Sequence, residues 1–209
     1  MKKIYLYILI CTACTLTSFP ATAFDPKDLE KLLATNVCKK CDLRSVDLEN
    51  AYLEHANISD SDLRNANLKN VNMRESYAYN SNFSSADLSG ANFHDAALRG
   101  ANFSDANLSG ADFSLAYLKK TTLTGANLKN CNLISARLQG ADLSNANLSN
   151  ANMETAQLGG ADLRGIEFEG ANFRGARMRK AKLKKNALEY AKDQHANFDK
   201  DLSMDCCDK

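Results

Sequence analysis

Ala101-Asn102-Phe103-Ser104-Asp105-Ala106-Asn107-Leu108-Ser109-Gly110-Ala111-Asp112-Phe113 shows a small residue, then Asn or Asp, then an apolar residue, returning every five positions. The order runs from Cys41 to Lys185 without insertion or deletion, through 29 consecutive units. The first position is Ala in 20 of them and otherwise Ser, Thr, Cys, Val or Ile, so bulk is excluded there throughout. The third position is Leu, Phe, Met or Ile except at Ala78. A fixed short period marks a repeat architecture.

Five residues fit neither ordinary element. A five-residue step turns a helical side chain through about 500°, so the apolar positions leave any single face. On a straight strand an odd step reverses the side chain each time. The chain must bend once per unit to keep positions one and three on a common axis. A second period sets the number of bends. Phe83, Phe93, Phe103 and Phe113 alternate with Leu88, Leu98 and Leu108, so Phe recurs every ten residues. A square coil of four units accounts for this, with two Phe facing each other across each coil and like types stacked beneath.

These residues resemble the pentapeptide repeat family, whose consensus is Ala, then Asp or Asn, then Leu, then two variable residues. The resemblance implies an all-β fold, a right-handed quadrilateral β-helix of 20 residues per coil. With 29 units that is about seven coils, a rod roughly 35 Å long at a ~4.8 Å strand spacing.

Outside the repeats, residues 1–23 have the form of a secretory signal peptide. Met1-Lys2-Lys3 is a charged start, an apolar stretch runs from Ile4 to about Phe19, and Ala21-Thr22-Ala23 offers a cleavage site. The expectation is a periplasmic or secreted chain beginning at Phe24, with no transmembrane span after cleavage. Lipidation at Cys11 or Cys14 is disfavoured by Ile10 and by Cys11 itself, which sit where a lipidation box needs other residues. Residues 24–40 are expected to form an N-terminal helical cap. Asp25 stands at an N-cap, Pro26 at the first helical position, and Leu29, Leu32 and Leu33 share one face. Residues 186–209 are expected to form a C-terminal helical cap, with Leu188, Tyr190 and Ala191 in the helix, then a polar tail from Asp199. End units of this kind would shield open strand edges.

Cys38 and Cys41 have C-x-x-C spacing, and Cys206 and Cys207 would be needed to complete a zinc site. The rod separates the pairs by about 35 Å at the same strand spacing. An oxidising compartment favours a Cys38–Cys41 disulfide over free thiols or a metal. Cys131 takes an inward position and is expected to be inert, and the adjacent Cys206 and Cys207 leave open a link within or between chains. Oligomeric state is not specified. The histidines are His55, His94 and His195, and no carboxylate pair, nucleophile elbow or phosphate loop stands out in the sequence, so neither an enzyme nor a cofactor is expected.

Sorting units by wall isolates one face. The fourth wall has third positions Ile58, Ala78, Leu98, Leu118, Leu138, Leu158 and Met178. Its second positions are Asn57, Tyr77, Ala97, Tyr117, Arg137, Gln157 and Arg177. Six of these seven abandon Asn or Asp, against four of 22 on the other walls, so the departure belongs to this face. Arg99, Lys119, Lys120, Arg137, Arg177, Arg179 and Lys180 lie on it with Asp60 as its only acid. The opposite wall carries Asp47, Glu49, Asp87, Glu167 and Glu169 against Lys69 and Lys129. A formal charge of +1 thus conceals a basic, Tyr-bearing face.

Tyr77, Tyr79, Arg99, Tyr117, Lys119, Lys120, Arg137, Arg177 and Arg179 are the candidate binding residues, and an unknown protein or anionic envelope component is the expected partner. The other reading comes from relatives that mimic DNA, bind a topoisomerase and confer quinolone resistance. That activity needs a strongly acidic surface in the cytoplasm, and this chain departs on both counts, so nucleic-acid chemistry is not expected.

Overall fold

A computed structural model describes residues 24–198. Cleavage after Ala23, lipidation at Cys11 or Cys14, and pairing of Cys206 and Cys207 lie outside the described residues. Within the repeats each second-position residue bridges, in parallel, to the residue 20 positions later, as in Asn82 to Asn102 and Asp142 to Asp162. Four units therefore complete one coil, as the alternation of Phe and Leu predicts.

The register follows from what can be buried. First and third positions from Leu43 to Met178 are almost entirely excluded from solvent and form one continuous core. Phe83 stacks on Phe103 with ring centroids 4.8 Å apart, and Phe93 on Phe113 at 5.0 Å. Across a coil Phe83 meets Phe93 edge to face at 6.2 Å. Both arrangements suit the ring quadrupole. Ala101, Ala106 and Ala111 line the axis at 0–1% exposure, where a larger side chain has no room.

Most inward polar residues find carbonyls: Ser61 Oγ donates to Cys38 O and Ser81 Oγ to Ile58 O, each at 2.7 Å, whereas Ser76 Oγ has no partner among the described residues. Cys131 does the same toward Leu108 O at 2.8 Å, and burial pushes its thiol up to about 12, so it is inert at neutral pH.

The prevalence of Asn and Asp has its own cause. Within a unit the second, third and fifth N–H groups donate to neighbouring coils, as at Asn102, Phe103 and Asp105, and the next unit's first N–H closes the turn, as Ala106 does onto Phe103 O. The fourth N–H is left over. Every Asn or Asp at a second position accepts it through its side-chain oxygen, at 2.9–3.4 Å. This local turn completes the hydrogen bonding of the unit. Several carboxamides also bond along the wall, as Asn127 Nδ2 does to Asn107 Oδ1 and Asn107 Nδ2 to Asp87 Oδ1, each at 3.2 Å.

Fifth positions turn the corners with positive φ, whether Gly, Asn or another residue. Leu115, at φ 62° and exposed, and the β-branched Thr155, at φ 57°, are costly cases, since this region suits Gly and penalises bulky or branched side chains.

Helix α1 spans Pro26–Thr35. Asp25 accepts from Lys27 N–H at its start, and the left-handed Asn36 ends it. Leu32 is buried in the core, with Leu29 and Leu33 packed beside it. Asp28 Oδ2 accepts Asp42 N–H at 2.8 Å, and Asp25 N–H donates to Asp42 O. Helix α2 spans Lys185–Asp193 and buries Ala187 and Ala191. Tyr190 lies against Phe168 and donates to Ala171 O at 2.9 Å. Beyond α2 the chain returns to the fourth wall, where Asn197 bridges Arg177; at the other end Val37 bridges Asn57. The fourth-wall ladder thus runs unbroken from Val37 to Asn197, one rung past the repeats at each end.

Candidate functional site

The fourth wall is where the repeat gives up its side-chain acceptor. With Tyr77, Ala97, Tyr117, Arg137 and Gln157 at second positions, the N–H groups of Tyr79, Arg99, Lys119, Gln139 and Gly159 find no acceptor among the described residues. Only Asn57 on this wall keeps the turn, accepting from Ser59. A column of N–H donors therefore faces outward at the strand spacing of ~4.8 Å, interleaved with cationic side chains. Uncapped donors and positive charge both favour anions.

Of the candidate residues, the structure gathers Tyr77, Tyr79 and Tyr117. They are 46%, 40% and 39% exposed and are among the few large apolar side chains left in solvent. Tyr77 and Tyr79 rings lie 6.2 Å apart, and the Arg137 guanidinium sits over the Tyr117 ring, 4.3 Å from its centroid. That contact is a cation–π interaction. Arg99 and Lys119 occupy successive rungs beside the tyrosines, and both are exposed. Lys120 turns the corner at φ 60°. Arg177 and Arg179 share one rung, four rungs from Ala97, and are not part of the tyrosine cluster.

The tyrosines line an open groove of about 300 Å³ with Ala97, Ser76, His55, Glu75 and Asp95. From the sequence His55 is weighed only as a catalytic residue, and Glu75 and Asp95 are not singled out. They are fifth positions of the third wall, and the shared corner sets them beside fourth-wall second positions. Counting residues per wall hides this, whereas counting corners with the wall that follows exposes it. Leu115 occupies the same corner one rung further on. Glu75 is paired with Arg74 at 3.0 Å and lies 3.6 Å from His55 Nδ1. Asp95 and Arg99, at either end of the Ala97 rung, make no ion pair among the described residues. The wall is therefore divided: an aromatic groove edged by carboxylates toward α1, and a basic surface toward α2.

The remaining walls hold their charges differently. Arg44, Arg64 and Arg164 each fork onto the Asp two residues earlier, with contacts of 2.6–2.7 Å to the Asp Oδ2. The Arg44 guanidinium holds Asp42, and that of Arg164 holds Asp162, below the usual carboxylate range. His94 bonds Ser114 rather than a carboxylate, at 2.8 Å.

Cys38 and Cys41 are joined, with Cα atoms 5.6 Å apart, beside the Asp28 carboxylate. With its sulfurs bonded, this cluster offers a metal no thiolate, and Asp28 already accepts from Asp42. Among the described residues no helix is long and apolar enough to cross a membrane.

Models of pentapeptide repeats match residues 111–150 and 151–185, and a model of the pentapeptide repeat region matches residues 46–123. No curated protein matches the chain. Similar solved structures include full-length QnrB1, a plasmid-mediated fluoroquinolone resistance protein. It is 21% identical, covers 76% of this chain and 87% of its own, and has a TM-score of 0.42. HetL, a pentapeptide repeat protein involved in heterocyst differentiation regulation in the cyanobacterium Nostoc sp. strain PCC 7120, is 24% identical. The match covers 74% of this chain and 97% of HetL at a TM-score of 0.35. A pentapeptide repeat protein from the Arabidopsis thaliana thylakoid lumen is 27% identical, with 76% of each chain covered and a TM-score of 0.20. Matched by these models from residue 46 to residue 185 and carrying an unbroken five-residue register, the chain belongs to the pentapeptide repeat family.

Proposed function

We propose that this chain is a non-enzymatic, exported scaffold that docks an anionic envelope component through the basic part of its fourth wall. In this reading the rod is a right-handed β-helix of about seven coils, with α1 and α2 as its end caps and the Cys38–Cys41 disulfide as a brace. The carrying observation is the exchange of Asn and Asp for Tyr, Ala, Arg and Gln on this wall. Stability favours the carboxamide at every unit, because it satisfies the fourth N–H. Its loss on one face, together with Arg and Lys there, is what an anion-binding surface needs. The rod holds these charges fixed, so they act together with little ordering cost.

Reversing Arg99, Lys119 and Arg137 to Glu tests this. These side chains point outward, so the thermal transition should stay close to the parent's. Retention on anionic phospholipid vesicles at low salt should be lost. The parent's retention should fade as the screening length falls to about 8 Å near physiological ionic strength. Reversing Asp87, Glu167 and Glu169 to Lys should strengthen it. Equal retention by the basic-wall variant and the parent across salt would show that the charges only solvate the wall. Export is checked separately: the periplasmic protein should have an intact mass starting at Phe24, and a lipidated form starting at Cys14 would overturn it.

A further inference from the structure

Tyr77, Ala97, Tyr117 and Arg137 occupy four successive rungs of one ladder. Arg137 stacks on Tyr117 at 4.3 Å, so the ladder already alternates a planar cation with an aromatic ring. Between the two tyrosines the ladder position is Ala97, which carries only a methyl group. Tyr77 and Tyr117 start two rungs apart, roughly 9.6 Å. A flat group held between two rings needs about 7–8 Å, and both side chains are exposed enough to lean inward. That spacing suits one planar group between the rings.

Charge selects the group. Asp95 stands at the corner of the same rung without an ion pair among the described residues, and Glu75 stands one rung above. Arg99, at the far end of the rung, does not line the groove. Ser76 Oγ, fully buried, does line it and is without a hydrogen-bond partner among the described residues. From the gap at Ala97, the two rings and the free carboxylate, we infer that the groove is a binding site for a guanidinium group, namely an arginine side chain presented by a protein partner. Guanidinium is flat, stacks on aromatic faces, and bonds a carboxylate through two parallel N–H groups; an ammonium does only part of this. The site is separate from the anion-docking reading of the same wall, since it uses the carboxylate-edged end.

The test is NMR titration of the protein, with labelled tyrosine rings, against N-acetyl-arginine amide. The expected result is saturable shifts of Tyr77 and Tyr117. The citrulline analogue, neutral but of the same shape, should bind at least about tenfold more weakly, since it forfeits both the cation–π and the charge-assisted contacts. The lysine analogue should fall between them. Asp95→Asn should weaken arginine binding, and Ala97→Arg should abolish it by filling the gap from within. Reversing Arg177 and Arg179, remote from the groove, should leave it unchanged even if vesicle retention is lost, which separates this site from the anionic one. Equal binding of arginine and citrulline, or full binding by Ala97→Arg, would overturn the inference. So would capture of neutral phosphatidylcholine vesicles without arginine binding, which would assign the groove to a lipid ammonium group.

Discussion

Replacing Ala97 with Asn should make this protein more stable, although Ala97 lies in a face made for contact. At Asn102 the side-chain oxygen accepts from Ser104 N–H at 3.0 Å. The same rotamer at position 97 would reach the Arg99 N–H, which finds no acceptor now. One net hydrogen bond contributes about 0.5–1.5 kcal/mol, and at a partly solvated site the lower half of that range applies. For a chain of this size each kcal/mol moves the midpoint by about 2–4 °C.

The opposite change at a canopied unit supplies the contrast. Asn107→Ala removes three bonds: the acceptor for Ser109 N–H at 3.3 Å, the acceptor for Asn127 Nδ2, and the donor to Asp87 Oδ1, the last two at 3.2 Å. Its cost should be about 1–3 kcal/mol. Repeat rods can open locally, so one global midpoint is a blunt measure. Hydrogen exchange at the Arg99 amide is the direct one. It should slow in Ala97→Asn while Lys119 exchange stays as it was, and arginine binding should be lost. Unchanged Arg99 exchange with unchanged stability would refute the view that the fourth wall gives up capping for contact.

Three further outcomes follow from the geometry. Ala106→Phe should overpack the axis and cost roughly 1–3 kcal/mol or more by urea unfolding, whereas Ser109→Glu on the surface should shift stability by less than about 0.5 kcal/mol; equal effects would mean the inward register is wrong. Asp42, held low chiefly by its hydrogen bonds from Arg44, supports the fold above its unfolded pKa and loses that support as pH falls through the lower folded value. In Arg44→Ala the Asp42 carboxyl should titrate closer to the usual range in an NMR pH series, and an unmoved titration would discard the fork as its cause. Reducing Cys38–Cys41 should lower stability by about 2 kcal/mol for so short a loop and speed exchange first near Cys38 and Leu43. Alkylation of both thiols in the unreduced native protein would show that the bond does not form.

The sequence makes the coil legible because its two periods come from the strictest constraint in the molecule, the space at the axis. Ala at first positions and alternating Phe and Leu at third positions can be satisfied together only by four bends per turn. The consensus Asn and Asp were visible too, but their cause was not. It emerges only when the backbone donors are followed one by one and the fourth N–H is found to be the remainder. That result changes what the fourth wall means. From the sequence, Tyr77, Arg99 and Arg177 look like one basic face. In the structure, the corner residues His55, Glu75 and Asp95 project beside the tyrosines, because position five of one unit borders position two of the next. Charge summed by wall misses that boundary. The resulting surface has two neighbouring chemistries on one rigid ladder, a carboxylate-edged aromatic gap and a basic column of open N–H donors. A partner carrying an arginine near an acidic segment could engage both without the rod changing shape.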